Sequence, residues 1–155
     1  MTWKRVGVIG LLIAVSVVTA AAQQTTKEKP SATQESTAFS VEDANTLLAE
    51  FREALQAHSP NRFLALFAAD KMDGYVYFRD QMQAFFAHND GIRVNIRSIR
   101  VTAESGKGFI TAAFQMEMTP RAGDALRRES QLRIELQRTE KGWRIVEIDP
   151  LSFFS

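Results

Sequence analysis

The hydrophobic period of this chain changes once, at Asn89-Asp90-Gly91, and that change restricts the fold more than any other feature. Before it, apolar residues recur at helical spacing; after it, they alternate. Ala44, Leu47, Leu48, Phe51 and Leu55 lie on one stripe of a first helix that Ser40 caps and that ends near His58. Ser59-Pro60 reads as the cap and first position of a short second helix, with Phe63, Leu64 and Phe67 on its buried side. The loop Asp70-Lys71-Met72-Asp73-Gly74 interrupts the pattern, and Asp73 reads as a cap for the helix that follows. A third helix from Tyr75 to Asn89 then carries Tyr75, Phe78, Met82, Phe85 and Phe86 on one face.

Past the Asn-Asp-Gly turn signal, Ile92, Val94 and Ile96 alternate with polar residues, and the phase slips at Ser98 before Ile99 and Val101. A one-residue slip is the mark of a bulge or sharp bend. A second strand presents Ile110, Ala112, Phe114, Met116 and Met118 on one face, a third presents Leu132, Ile134 and Leu136, and Trp143 to Ile148 make the last. Ser105-Gly106-Lys107-Gly108, the run Pro120 to Asp124, and Glu140-Lys141-Gly142 are the turns between them. The expected fold is therefore α+β: three N-terminal helices packed on a bent, four-stranded antiparallel meander, a half-open cone with a cavity inside.

The chain begins with Lys4 and Arg5, an apolar run from Val6 to Val18, and the small residues Ala20-Ala21-Ala22. These are the three parts of a secretory leader, so residues 1–22 are expected to be removed on export to the periplasm or beyond, leaving no stable membrane span. The retained alternative is a membrane anchor, since the apolar stretch is at the short edge of spanning length. Without the leader, 17 basic residues face 18 acidic ones, and the formal charge moves from +1 to −1. That balance offers no electrostatic case for nucleic acid. Residues 23–38 hold almost no apolar side chains and are expected to be a disordered tether ahead of a domain at 39–155. With no cysteine anywhere, disulfides, thiolate metal sites and cysteine nucleophiles are excluded.

The amphipathic first helix, the segment Phe63-Leu-Ala-Leu-Phe67 leading to an Asp-containing loop, the bent strand, and the closing Lys141-Gly-Trp-Arg-Ile-Val-Glu-Ile-Asp149 hairpin together resemble the nuclear transport factor 2-like superfamily. Ketosteroid isomerase, scytalone dehydratase and polyketide cyclases share that fold, and the resemblance is strongest to small exported members without assigned activity. It implies the cone-shaped α+β domain and the possibility of a homodimer through the outer sheet face. It does not imply one reaction, because a single fold hosts many.

Enzymes of that superfamily place a carboxylate or histidine base inside the cone. In this chain no inward strand position carries Asp, Glu or His, and neither a cofactor nor a metal is implied, since His58 and His88 lack ligand spacing. The reading that follows is a non-catalytic domain binding a small apolar or amphipathic ligand, or acting as an association module. Its expected pocket is Tyr75, Phe78, Met82, Phe114 and Met116, with Arg128 and Ser130 at the mouth, where Arg128 could hold an anionic head group. The alternative is a cofactor-free isomerase, dehydratase or hydrolase using His58, which continues the stripe of Phe51 and Leu55, with Asp70 or Asp73.

Overall fold

The structure, a computed structural model, describes residues 38–155; the expected leader and nearly all of the expected tether lie outside the described residues. The order of elements is α1 (Val41–Gln56), α2 (Pro60–Leu64), α3 (Tyr75–His88), β1 (Asn89–Glu104), β2 (Lys107–Pro120), β3 (Leu126–Thr139), β4 (Gly142–Asp149) and a closing 3-10 turn, Leu151–Phe154. The four strands form one open antiparallel sheet in sequence order. The α+β meander read from the sequence is the observed architecture.

Helix α1 starts where a reciprocal cap allows it. The Ser40 hydroxyl accepts from the Asp43 N–H at 3.1 Å, and the Asp43 carboxylate accepts from the Ser40 N–H at 2.9 Å. Its stripe of Ala44, Leu47, Leu48, Phe51 and Leu55 is buried as expected. The helix ends in a Schellman turn, in which the Ser59 N–H donates to the Ala54 carbonyl and the His58 N–H to that of Leu55. His58 occupies the left-handed position of that turn, φ 54°, where glycine is usual.

Three local expectations are corrected. Pro60 does open α2, but the Ser59 side chain makes no cap bond. Asp73 does not cap α3; Gly74, at φ 69°, is the cap residue and provides the left-handed backbone that turns the loop into the helix. Asn89-Asp90-Gly91 is no turn either. Asn89 is buried and already extended, and its side-chain amide donates to the Phe85 carbonyl at 2.7 Å. By satisfying a free carbonyl of the helix end, it lets the chain pass from α3 into β1 without a loop.

The slip in β1 is a bulge. Arg97 pairs with Ala113 and Arg100 with Thr111, so Ser98 and Ile99 together oppose one residue of β2, and Ser98 takes φ 54°. A second irregularity lies in β4 opposite Glu135 and Leu136. The free edge of β4 is covered by the segment after α2: the Ala68 N–H donates to the Ile145 carbonyl and the Ile145 N–H to that of Leu66, both at 2.9 Å. The start of β1 is closed in another way, the Gln56 side chain of α1 accepting from the Val94 N–H at 3.4 Å. Thus α1, α2 and α3 cover one face of the sheet, and the strands' alternating apolar residues point into the space between.

Candidate functional site

That space is packed solid. Phe51 of α1, Phe63 of α2, Phe78 and Met82 of α3, and Phe114 and Met116 of β2 are all at most 1% exposed and belong to one apolar cluster. Phe63 sits against Phe51, Phe67, Phe78 and Phe86 with centroid separations of 4.9–6.4 Å, the edge and tilted contacts that aromatic quadrupoles favour. The end of the chain completes the filling. After a cis Asp149–Pro150 bond, the turn Leu151–Phe154 brings Phe153 against Phe114 at 6.1 Å and Phe154 against Phe51, Phe63 and Phe85 at 6.0–6.4 Å. Of the expected pocket residues, Phe78, Met82, Phe114 and Met116 are therefore buried members of one core cluster. Among the described residues the one buried polar side chain is Asn89.

Where the aromatic filling meets solvent there is a pocket of about 360 Å3. Its apolar walls are Ala84 and Phe85 of α3, Met118 and Pro120 of β2, Leu126 of β3 and Phe154, and Gln81, His88, Asn89, Arg128 and Ser155 complete the lining. Strand β3 starts at Leu126, five residues earlier than a strand opening at Gln131 would, and this puts Arg128 in phase with Leu132, opposite Met116. Arg128 is half-buried at this mouth, and one guanidinium N–H donates to the Phe153 carbonyl at 3.2 Å. Among the described residues no carboxylate pairs with it. A guanidinium has five donors, so most of its capacity is uncommitted on the rim of an apolar pocket. Ser130, also half-buried and opposite Phe114, makes a 3.3 Å contact with the Gln131 carbonyl and lines a shallow depression of about 280 Å3 with Arg97, Ala113 and Gln131.

The structure does not bring His58 and the two aspartates together. The His58 ring stands edge-on to Phe86 at 5.4 Å, its Nδ1 is buried without a partner, and no carboxylate of the described residues lies within ion-pair distance. Asp70 and Asp73 are exposed and line different surface pockets. Asp70 shares with Tyr75 a groove of about 830 Å3 between α2, the start of α3 and the β3–β4 turn, floored by Leu64 and Phe67 and edged by Lys71, Lys141 and Arg144. His88 is exposed at the end of α3, its Nδ1 2.6 Å from the Ala84 carbonyl. Among the described residues no three His, Asp or Glu side chains cluster as a metal site would require, and no helix is long and apolar enough to cross a membrane.

On the outer sheet face, Arg133 lies over the Phe109 ring at 5.2 Å, Lys107 pairs with Glu135 across to β3, and Arg97 donates to Gln115. Arg127 takes Glu129, two residues along its own strand, and not a neighbour across the sheet. What sequence reasoning missed is the closing turn. Its signal was the pair Phe153-Phe154, too short to show a period but too apolar to be left in water.

Three helices on one face of an open, bent, four-stranded meander are the nuclear transport factor 2-like fold. Its structural neighbours include two proteins named for that fold. A candidate aromatic ring hydroxylase from Novosphingobium aromaticivorans superposes with a TM-score of 0.64 at 20% identity, over 71% of this chain and 88% of that one. A candidate dehydratase of the same fold family from Streptomyces avermitilis gives 0.61 at 12% identity, over 70% and 91%. A nuclear transport factor 2-like superfamily protein from Salmonella enterica gives 0.63 at 9% identity, over 69% and 86%. At these identities the likeness is one of fold. No family model and no curated protein matches the sequence.

Proposed function

We propose that this is an exported, non-catalytic binding domain that takes a small amphipathic anion at the mouth of its filled cone. The observation that carries the reading is Arg128: a half-buried guanidinium, without a carboxylate partner among the described residues, on the rim of a pocket whose apolar walls are Phe85, Met118, Leu126 and Phe154 and whose polar lining includes Gln81, His88 and Ser155. An aliphatic or aromatic tail against those walls would leave its carboxylate or sulfonate at the guanidinium, a charge-assisted pair partly shielded from water. The non-catalytic half rests on how the pocket's titratable side chain is held: His88 lines it from the exposed end of α3, with Nδ1 engaged by the Ala84 carbonyl and, among the described residues, no carboxylate in ion-pair contact to orient the ring as a base. Export rests on the leader pattern at residues 1–22.

Calorimetric titration with octanoate and with octanol tests the pocket. Octanoate binding that weakens about tenfold in Arg128→Gln, with octanol binding weakly to both forms, is the expected result. Octanoate binding that ignores Arg128→Gln would remove the anchor, and no binding of either would remove the site. Export is checked separately by the N-terminus of the protein recovered outside the host cytoplasm, expected to be Gln23.

A further inference from the structure

We propose that the end of β1 is a self-pairing edge, through which two copies of the chain join antiparallel about Thr102. β1 is an outer strand of the sheet, so along one side its backbone groups have no strand neighbour. Its first half is occupied, because α1 reaches it through Gln56 and Val94. Beyond the bulge at Ser98 and Ile99 the situation changes. Arg100, Thr102, Ala103 and Glu104 are exposed, Val101 is half-buried, and Ile99 is 41% exposed. An uncovered edge of this kind is a template for another strand.

The residues themselves select the occupant. Arg100 and Glu104 lie on the same face, and neither has an ion-pair partner among the described residues. In an antiparallel pair about a two-fold axis, directly opposed residues share a face, so the axis must pass through a residue and not between two. Centred on Arg100, the pairing sets guanidinium against guanidinium. Centred on Val101 or Ala103, it leaves both charges facing uncharged residues. Centred on Thr102, it places Arg100 opposite Glu104 of the second copy and Glu104 opposite its Arg100, with Val101 against Ala103 on the inner face. The strand is thus charge-complementary to itself in one register. The bulge limits the paired run to a few residues, so the dimer is weak and concentration-dependent, with both ion pairs exposed and sensitive to salt.

Sedimentation equilibrium of the chain at low ionic strength, from the micromolar to the millimolar range, reads the association. Arg100→Glu and Glu104→Arg should each weaken it about tenfold, since each replaces two attractive cross-strand pairs by two repulsive ones. The double variant should restore it, because the swap recreates both pairs. The register is read by oxidative cross-linking in a chain that has no cysteine of its own. Thr102→Cys places two sulfurs on directly opposed residues, within disulfide reach, whereas Ala103→Cys leaves the Cα atoms about 8 Å apart. A rapid Thr102→Cys dimer beside a slow Ala103→Cys one is expected. No association at millimolar concentration, a double variant as weak as the singles, or equal cross-linking at the two positions would each overturn the proposal, the last also covering a dimer formed through the sheet face.

Discussion

Replacing Phe154 by alanine tests whether the closing turn is part of the core or a cover laid on it. The side chain is 2% exposed and touches the rings of Phe51, Phe63, Phe85 and Phe153. Loss of transfer free energy costs about 2 kcal/mol. The vacated ring, roughly 90 Å3, adds about 2 kcal/mol at about 24 cal/mol per Å3 if the walls hold. Those walls are aromatic side chains from α1, α2 and α3 that already brace one another, so collapse is limited and the sum stays near 4 kcal/mol. In urea, with a slope of about 1.5 kcal/mol/M for a domain of this size, the midpoint should fall by about 2.5 M at unchanged slope. Phe153, whose ring meets two other aromatic rings, Phe114 and Phe154, against four for Phe154, should cost less, about 2–3 kcal/mol. A dry cavity lined by phenyl rings should also take benzene, so saturating benzene should raise the midpoint of Phe154→Ala and leave the parent unmoved. A loss below about 1 kcal/mol, or a larger loss for Phe153→Ala than for Phe154→Ala, would refute the assignment of Phe154 to the core.

Other perturbations follow from backbone and cap geometry. At the left-handed end of α1, His58→Gly should be more stable than His58→Ala by about 1 kcal/mol in chemical denaturation, because alanine retains the Cβ penalty without the ring's contact on Phe86. Ser40→Ala removes one half of the reciprocal cap and should cost about 1 kcal/mol by the same assay. A Cβ at Gly108 would overlap the Phe39 ring, which also packs edge-on against Trp143 at 5.0 Å; Gly108→Ala should therefore cost about 1–3 kcal/mol and shift the tryptophan emission.

The residues that announced the fold did so through period, and the residues that decide the site did not. Leu47 through Leu55, and Ile110 through Met118, repeat often enough that only one face of each element can be buried, and the slip at Ser98 located the bend to the residue. That Arg128 keeps phase with Leu132 was legible in the same way. Whether the cone was hollow could not be read in this way. The inward positions are apolar whether they line a cavity or fill one, and the difference rests on two phenylalanines at the chain end whose positions depend on the bend after Asp149. The His58 pairing failed for a related reason. Continuing the stripe from Phe51 through Leu55 assumed helical backbone, but the chain has already turned left-handed at His58, which swings the ring toward Phe86.

The two hydrogen bonds between Ile145 and the segment Leu66–Ala68 tie parts of the chain that are far apart in sequence and otherwise belong to different layers. Their consequence is kinetic. The loop that joins α2 to α3 cannot lift away without exposing the amide of Ile145, and β4 cannot peel from the sheet without releasing that of Ala68. These two amides should exchange with solvent at one common rate, marking loop and strand as a single unit of local opening.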